Sequence, residues 1–448
     1  MSSPAGNREL LSLAERLVRF GQTSGADEIE VGLGDGTEFG VDVRMGEVEN
    51  LVEAGSRALG VRIIKDGKTA FASSSDLEPE TLERLIRNAV RRAELANRDE
   101  FAGLPELSDR PVDSASLDLF DPAVPALEAK RMIALAHETE RIALSDKRIT
   151  NSHGASFSSH EGCSVLASSN GFLGEYRKTY CSLSVSLQAG DTDDLVEDFW
   201  YSSRIHFADL ESPEVIARTA VARTVRQLHP RKIKTQRVPV VFEPLMTSGI
   251  LGFLFSCISG TAVYQQASFL AGRLGERIGN DRVTVIDDGL LPRLLGTGPF
   301  DSEGLPSRRT VVVEKGVLLN YLCNTYAARK LGLRSTGNAD GSGVGPNNFY
   351  LQPGTPSAEE IIGSCEKGLL LIRTLGHGLN PVSGDISRGA FGLWIENGEI
   401  AYPVSEITIS GNLGELLKNI EMVGSDLEFR GSICAPTIKV AEMQISGL

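Results

Sequence analysis

Four side chains able to bind a metal crowd one short polar stretch, HGASFSSHEGC: His153, His160, Glu161 and Cys163. Imidazole, carboxylate and thiolate are all zinc ligands, and a zinc ion there would activate a water for hydrolysis. The spacing follows no established zinc pattern, and a polar turn built on Gly162 and the serines accounts for the same residues. A second cluster lies in LNPVSGDISRG, where Asn380, Ser383, Asp385, Ser387 and Arg388 crowd between glycines just before an apolar strand. Polar loops on a strand scaffold are where binding groups sit, which makes these five candidate peptide contacts. The competing account is a hairpin loop whose side chains bond its own backbone. A third is GPFDSEGLPSRR: Asp301 and Glu303 as paired carboxylates with Arg308 and Arg309 as an anion site, or as charges that fix a loop.

The other reactive types offer less. His137 and Glu138 sit on a predicted helix amid charges, His229 in a basic stretch and His206 at a strand end, none with partners that point to chemistry. His377 and Ser383 do not by themselves make a triad, which is defined in space. Cys323 has no flanking imidazole or cluster of positive charge to activate it.

These groups need a scaffold, and apolar periodicity predicts one. Helical spacing covers Arg8–Gly21, and an alternating segment with turn signals at Gly34–Gly36, Met45–Gly46 and Lys65–Gly67 reads as an antiparallel meander. A helix over Pro79–Ala96 closes this unit, residues 7–97. After a Pro, Ser and Asp-rich connector the order recurs over residues 124–228: a helix at Pro125–Ala143, strand-like runs, and a capped helix at Ser212–Leu228. An internal duplication would produce this repeat. From residue 231 onward short strands dominate, interrupted by helical segments at Ile250–Ile258, Gln265–Leu274, Asn324–Leu331, Ala358–Gly368 and Leu413–Asn419. The expected fold class is α+β. Residues 1–230 form a domain of antiparallel meanders flanked by helices, and residues 231–448 a β-rich, barrel-like domain with packed helices.

Composition narrows the function. A net charge of −14 over 448 residues argues against a nucleic-acid or anionic-membrane partner, since both require a concentrated basic surface. The first residues enter an amphipathic helix without the apolar core of a signal peptide, and no apolar run reaches the roughly 20 residues of a membrane helix. Six scattered cysteines without a CxxC pair suit a reducing, cytoplasmic location.

The segments VRMGEVENLVEAGSRALGVRIIKDGKTAFASSS, PFDSEGLPSRRTVVVEKGVL, NPVSGDISRGAFGLWIENGEIAYPVSEITISGNL and VGSDLEF together resemble the PmbA/TldE branch of the TldD/PmbA metallopeptidase family. The likeness spans essentially the whole chain. It implies a two-domain architecture that dimerises with a TldD-type paralogue, in which an HExxxH helix and a C-terminal cysteine hold zinc. Here the corresponding helix is Gly249–Gly260, within the stretch TSGILGFLFSCISG, and Phe253, Leu254 and Ile258 stand where His, Glu and His would be needed. Those side chains neither ligate zinc nor abstract a proton. Cys434 falls later than the expected ligand. The helix is then expected to be the floor of a site that elsewhere holds metal.

The resemblance thus implies a subunit without a cofactor of its own, paired with a zinc-bearing TldD-type subunit in the proteolysis of short unfolded or modified peptides. It would help close the chamber and offer strand edges to the peptide, and a homodimer would form where the paralogue is absent. Two alternatives stay open. One is a stand-alone metallopeptidase with metal at His153, His160 and Cys163; the other is a non-enzymatic peptide-binding scaffold.

Overall fold

The computed structural model describes residues 4–107, 109–191 and 195–448. Helix α1 (Pro4–Thr23) leads into β1 (Glu28–Arg44), β2 (Glu47–Lys65) and β3 (Lys68–Ser74), followed by α2 (Pro79–Leu95). The same order recurs in α3 (Ala129–Leu144), β4 (Ile149–Ser168), β5 (Leu173–Ala189), β6 (Val196–Arg204) and α4 (Pro213–Val225). All six strands join one antiparallel sheet in the order β3-β2-β1-β4-β5-β6, with the two halves meeting at the β1–β4 pair. The hairpins at Met45–Gly46 and Asp66–Gly67 have positive φ at both turn residues, the tight geometry that matches strand twist.

Gly34–Gly36 is not a turn. β1 runs straight through it, and Gly32, Gly34 and Gly36 are ordinary extended residues of a 17-residue strand. Odd-numbered positions of β1 face the helices: Ile29, Val31 and Leu33 pack with Leu10, Leu17, Leu82 and Ile86 under α1 and α2. Phe39, Val41 and Val43 pack with Phe157, Leu183 and Ile216 under α3 and α4. The even positions make the opposite face, where the glycines lie.

The second half begins with β7 (Gln236–Phe242), α5 (Pro244–Ile258) and α6 (Gly260–Tyr264). Next come β8 (Val285–Asp288), β9 (Arg309–Glu314), β10 (Val317–Leu318), α7 (Thr325–Leu331), β11 (Ala339–Asp340), β12 (Gly343–Val344), β13 (Phe349–Leu351) and α8 (Ala358–Gly363). The chain ends with β14 (Lys367–Leu375), β15 (Leu379–Asn380), β16 (Asp385–Glu396), β17 (Glu399–Asn412), α9 (Leu413–Lys418), β18 (Ile420–Val423), β19 (Ile433–Cys434) and β20 (Ile438–Ser446). Strands β14, β7, β20, β17 and β16 close into a five-stranded barrel through the β14–β16 pairing. A smaller sheet, β10-β9-β8-β13-β19, packs beside it. The fold is α+β as expected, but the segment 265–274 is a chain of turns. Positive φ at Gln266, Gly272 and Gly275 breaks any helix there. The segment 358–368 stops being helical at Gly363 because β14 starts at Lys367.

Candidate functional site

The glycine-bearing face of the first sheet is not bare. It forms one wall of a cleft of about 620 Å³, and a second cavity of about 550 Å³ continues from it, sharing Gly34, Ala58, Ser164, Tyr176, Lys178, Leu295 and Ser432. Strand register explains the wall. Gly32 pairs with Gly60 and Leu166, Gly34 with Ala58 and Ser164, and Gly36 with Ser56 and Gly162. Three adjacent strands therefore present backbone and small side chains over a broad strip. An ideal Cβ at Gly32, Gly34 or Gly60 meets nothing within 4 Å, so the space above them is open to an extended chain.

The opposite wall comes from loops of the second half and is held by buried amides. Asp287 accepts hydrogen bonds from the side chains of Asn338 (2.7 Å) and Asn347 (2.9 Å) and from the Asn347 backbone (2.8 Å). Burial pushes its carboxyl up to about 6 against those bonds. Asn348 Nδ2 donates to the Asp288 carbonyl and to Thr297 Oγ1, while its Oδ1 accepts from the Gly296 amide. Hydrogen bonds of this kind in a low-dielectric setting stiffen the wall.

The two walls are tied together at two places. At one, Arg62 of β2 bonds Glu30 of β1 and Glu303 of the loop 299–307, both at 3.1 Å. Desolvation pushes the Glu30 carboxyl up to about 7, partly offset by Arg62. Asp301 is likewise pushed up by burial to about 7, although its oxygens accept from the amides of Glu303, Leu305 and Ala339. Where the two cavities meet, Lys178 Nζ donates to the carbonyls of Leu295 (2.6 Å) and Thr297 (2.9 Å). Asp301 and Glu303 are therefore loop-fixing carboxylates, and Asp301 also lines the cleft. Arg309 sits 3.8 Å from Asp288 and Arg308 3.9 Å from Asp109.

The structure separates the first metal candidate. From Ala155 to Val165 along β4 odd positions face inward and even ones outward, so Cys163 lies in the core while His160 lies on the cleft face beside Gly36 and Gly162. His153, exposed and ten positions before Cys163, faces Glu197 at 3.4 Å. Strand geometry thus keeps His153, His160 and Cys163 from converging. Burial raises the Cys163 thiol to about 11, far from the thiolate a metal needs. Among the described residues no group of three or more His, Cys, Asp or Glu side chains is placed to hold a metal ion.

The loop candidates line no cavity described above. Asn380, Ser383, Asp385 and Ser387 are exposed, and the loop bonds itself. Ser383 Oγ donates to Asp385 (2.6 Å), Asn412 Nδ2 donates to Asp385 (3.0 Å), and Arg388 Nε donates to the Gly376 carbonyl. His206 lies between the Asp118 carbonyl and Arg293, both at 2.9 Å.

Helix α5 is core and not the lining of the cleft. Phe253, Leu254 and Ile258 are 4%, 0% and 0% exposed and pack among Val240, Phe242, Phe349 and Ile438. Ile433 of β19 lies over Gly252, and the preceding Ser432 is what reaches the cleft. Cys434 is buried, with burial raising its thiol and Sγ directed at the Gly431 carbonyl. These residues do not fit zinc.

Comparison with known proteins follows this geometry across the chain. Family models for PmbA/TldA metallopeptidases match in three parts: domain 1 over residues 29–93, the central domain over 122–228 and the C-terminal domain over 235–447. Metalloprotease PmbA of Escherichia coli O157:H7 is 38% identical over 423 residues, 94% of this chain and 93% of that protein. The PmbA homolog of Haemophilus influenzae is 35% identical over 445 residues, 99% and 97% of the two chains. Among solved structures, a Bacteroides thetaiotaomicron chain described as a candidate modulator of DNA gyrase superposes with TM-score 0.91, 27% identity and full coverage of both chains. TldE from Thermococcus kodakarensis shares the fold, with TM-score 0.88 at 24% identity, covering 97% of this chain and all of that one.

Proposed function

The chain belongs to the PmbA/TldA metallopeptidase family, and from that premise we propose that it is the zinc-less subunit of a heteromeric peptidase. In that assembly it holds short, extended peptides while a TldD-type paralogue supplies the metal and the hydrolysis. The observation that carries this is the filling of α5: Phe253, Leu254 and Ile258 are buried among apolar side chains where ligands and a general base would be needed. Phe, Leu and Ile offer no lone pair to a cation and no site for a proton.

The peptide-holding part rests on the glycine strip. An extended peptide is recognised through its main chain with little regard to sequence, and the absence of Cβ atoms at Gly32, Gly34 and Gly60 allows close approach to the wall. The outer loop with Asn380, Ser383, Asp385, Ser387 and Arg388 is a second candidate contact, weakened by the bonds it makes within itself.

Association with a paralogue, or with a second copy in its absence, is supported by β2. Pairing with β3 starts only at Leu59, so Glu47–Ala58 has β1 on one side alone, and Val48, Leu51 and Val52 are exposed there. A long strand edge with apolar side chains is a pairing surface. No helix in the described residues is long and apolar enough to cross a membrane, and we place the complex in the cytoplasm.

Co-purification with the paralogue, metal counting and a peptide-cleavage assay with and without chelator test this function. The expected result is zinc in the partner alone and cleavage only by the complex. Stoichiometric zinc in this chain, or partner-free turnover, overturns it.

A further inference from the structure

We propose that Lys178 marks a carboxylate-binding subsite of the cleft, where an extended peptide sets its C-terminal carboxylate or an acidic side chain. The proposal rests on the reading of the cleft as a peptide channel and gives that channel a polarity.

Lys178 is the half-buried cation of the small-residue wall. An ammonium has three N–H donors; two are directed at the carbonyls of Leu295 and Thr297, and the third is left over. Desolvation alone acts on it among the described residues, with no carboxylate to offset the charge. Desolvating a cation without a counter-ion is unfavourable, and the fold partly does so where the cleft and its continuation join. A ligand carboxylate is the counter-ion that would relieve it, through a charge-assisted hydrogen bond.

The neighbours suit that ligand. Gly162 pairs with Lys178 and Ser164 with Tyr176 across β4 and β5, so the ammonium is approached over a glycine and flanked by two hydroxyl groups. His160 turns its ring over Gly36 and Gly162, bringing a second polar side chain to the same face. The other titratable groups along this part of the cleft are Asp35, already paired with Arg57 at 3.3 Å, and Tyr180. Asp301 and Asp340 line only the first cavity. Asp301 and Asp340 are thus confined to the first cavity while Lys178 sits at the junction with the second, and the carboxylate end of a peptide is directed toward Lys178.

The test measures binding to the full-length chain of three peptides identical but for charge: one with a free C-terminal carboxylate, its C-terminal amide, and the amide carrying one internal Asp. Wild type is expected to bind a carboxylate-bearing peptide about tenfold more tightly than the uncharged amide. Preference for the free acid identifies the C-terminus as the source, and preference for the internal Asp identifies a side chain. Lys178→Met should erase the preference, and Lys178→Arg should keep most of it, which separates loss of charge from loss of folding. Equal binding of all three peptides by wild type, or an unchanged preference in Lys178→Met, overturns the subsite. Gly34→Leu, which fills the cleft, should weaken even the amide. If it does while no carboxylate preference exists, the channel stands and the subsite falls; if it does not, the channel falls, and the subsite with it.

Discussion

Arg62 and Glu303, 241 positions apart in sequence, meet at 3.1 Å and tie the first sheet to the loops of the second half. The guanidinium also takes Glu30 at 3.1 Å, and their side chains are 14% or less exposed. Asp301 adds a third carboxylate to the electrostatics of this corner. Removing the only guanidinium of that group leaves buried negative charges facing one another. Arg62→Ala is expected to destabilise the chain by about 3–5 kcal/mol, read as a lower denaturant midpoint. A change of a few tenths would mean that the corner is solvated and the tie is ornamental.

The same corner makes stability depend on pH with a definite sign. Glu30 and Asp301 have folded-state values raised to about 7 from 4.5 and 3.8. Between those limits the native chain binds more protons than the unfolded one, so their contribution is fully present below the unfolded values and is lost as pH rises through about 7. Replacing Glu30 with the neutral, isosteric Gln should therefore raise the melting temperature relative to wild type at pH 8, and confer no such gain at pH 4. An equal gain at both pH values would assign the effect to packing.

The core was legible in the sequence because core formation follows periodicity. The apolar positions of α1, α2 and β1 announce which face is buried, and Ser212 before Pro213 marks the start of α4 with both a cap and a favourable first residue. The cleft was harder to see. Its signal is present in VGLGDG, where glycine recurs at every second residue. Glycine also signals turns, and only pairing with Ala58, Gly60, Gly162 and Ser164 reveals a flat wall. Lys178 and Arg62 gave no local signal, because their meaning comes from carbonyls and carboxylates more than a hundred positions away. The stretch from His153 to Cys163 misled for a related reason: closeness in sequence along a strand alternates between faces.

Peptide contact at the cleft and at the outer loop can be separated by substitution. Gly34 has an extended backbone and open space above it, so Gly34→Leu should leave the fold intact and lower peptide affinity at least about tenfold by occupying the channel. The double variant Asp385→Ala, Arg388→Ala should loosen the loop and leave affinity within about twofold, since these groups bond the loop itself. Isothermal titration with one amidated peptide checks both. The reverse pattern would move the peptide from the cleft to the Asn380–Arg388 loop.

Helix α5 provides the sharpest test of whether the zinc motif has been replaced by packing. If Phe253 lined an open site, a polar residue there would meet water and cost little. It is instead 4% exposed within the main core, while Leu254 beside it is fully buried. Phe253→His loses apolar contacts and buries a ring nitrogen with no partner, and the expected cost is about 3–5 kcal/mol. Adding zinc should recover none of it, because Leu254 and Ile258 supply no further ligand. The measurement is the thermal midpoint of Phe253→His with and without zinc. A near-wild-type midpoint, or a marked rise on adding metal, would mean that the helix borders a ligand site and that the peptidase centre has to be sought in this chain.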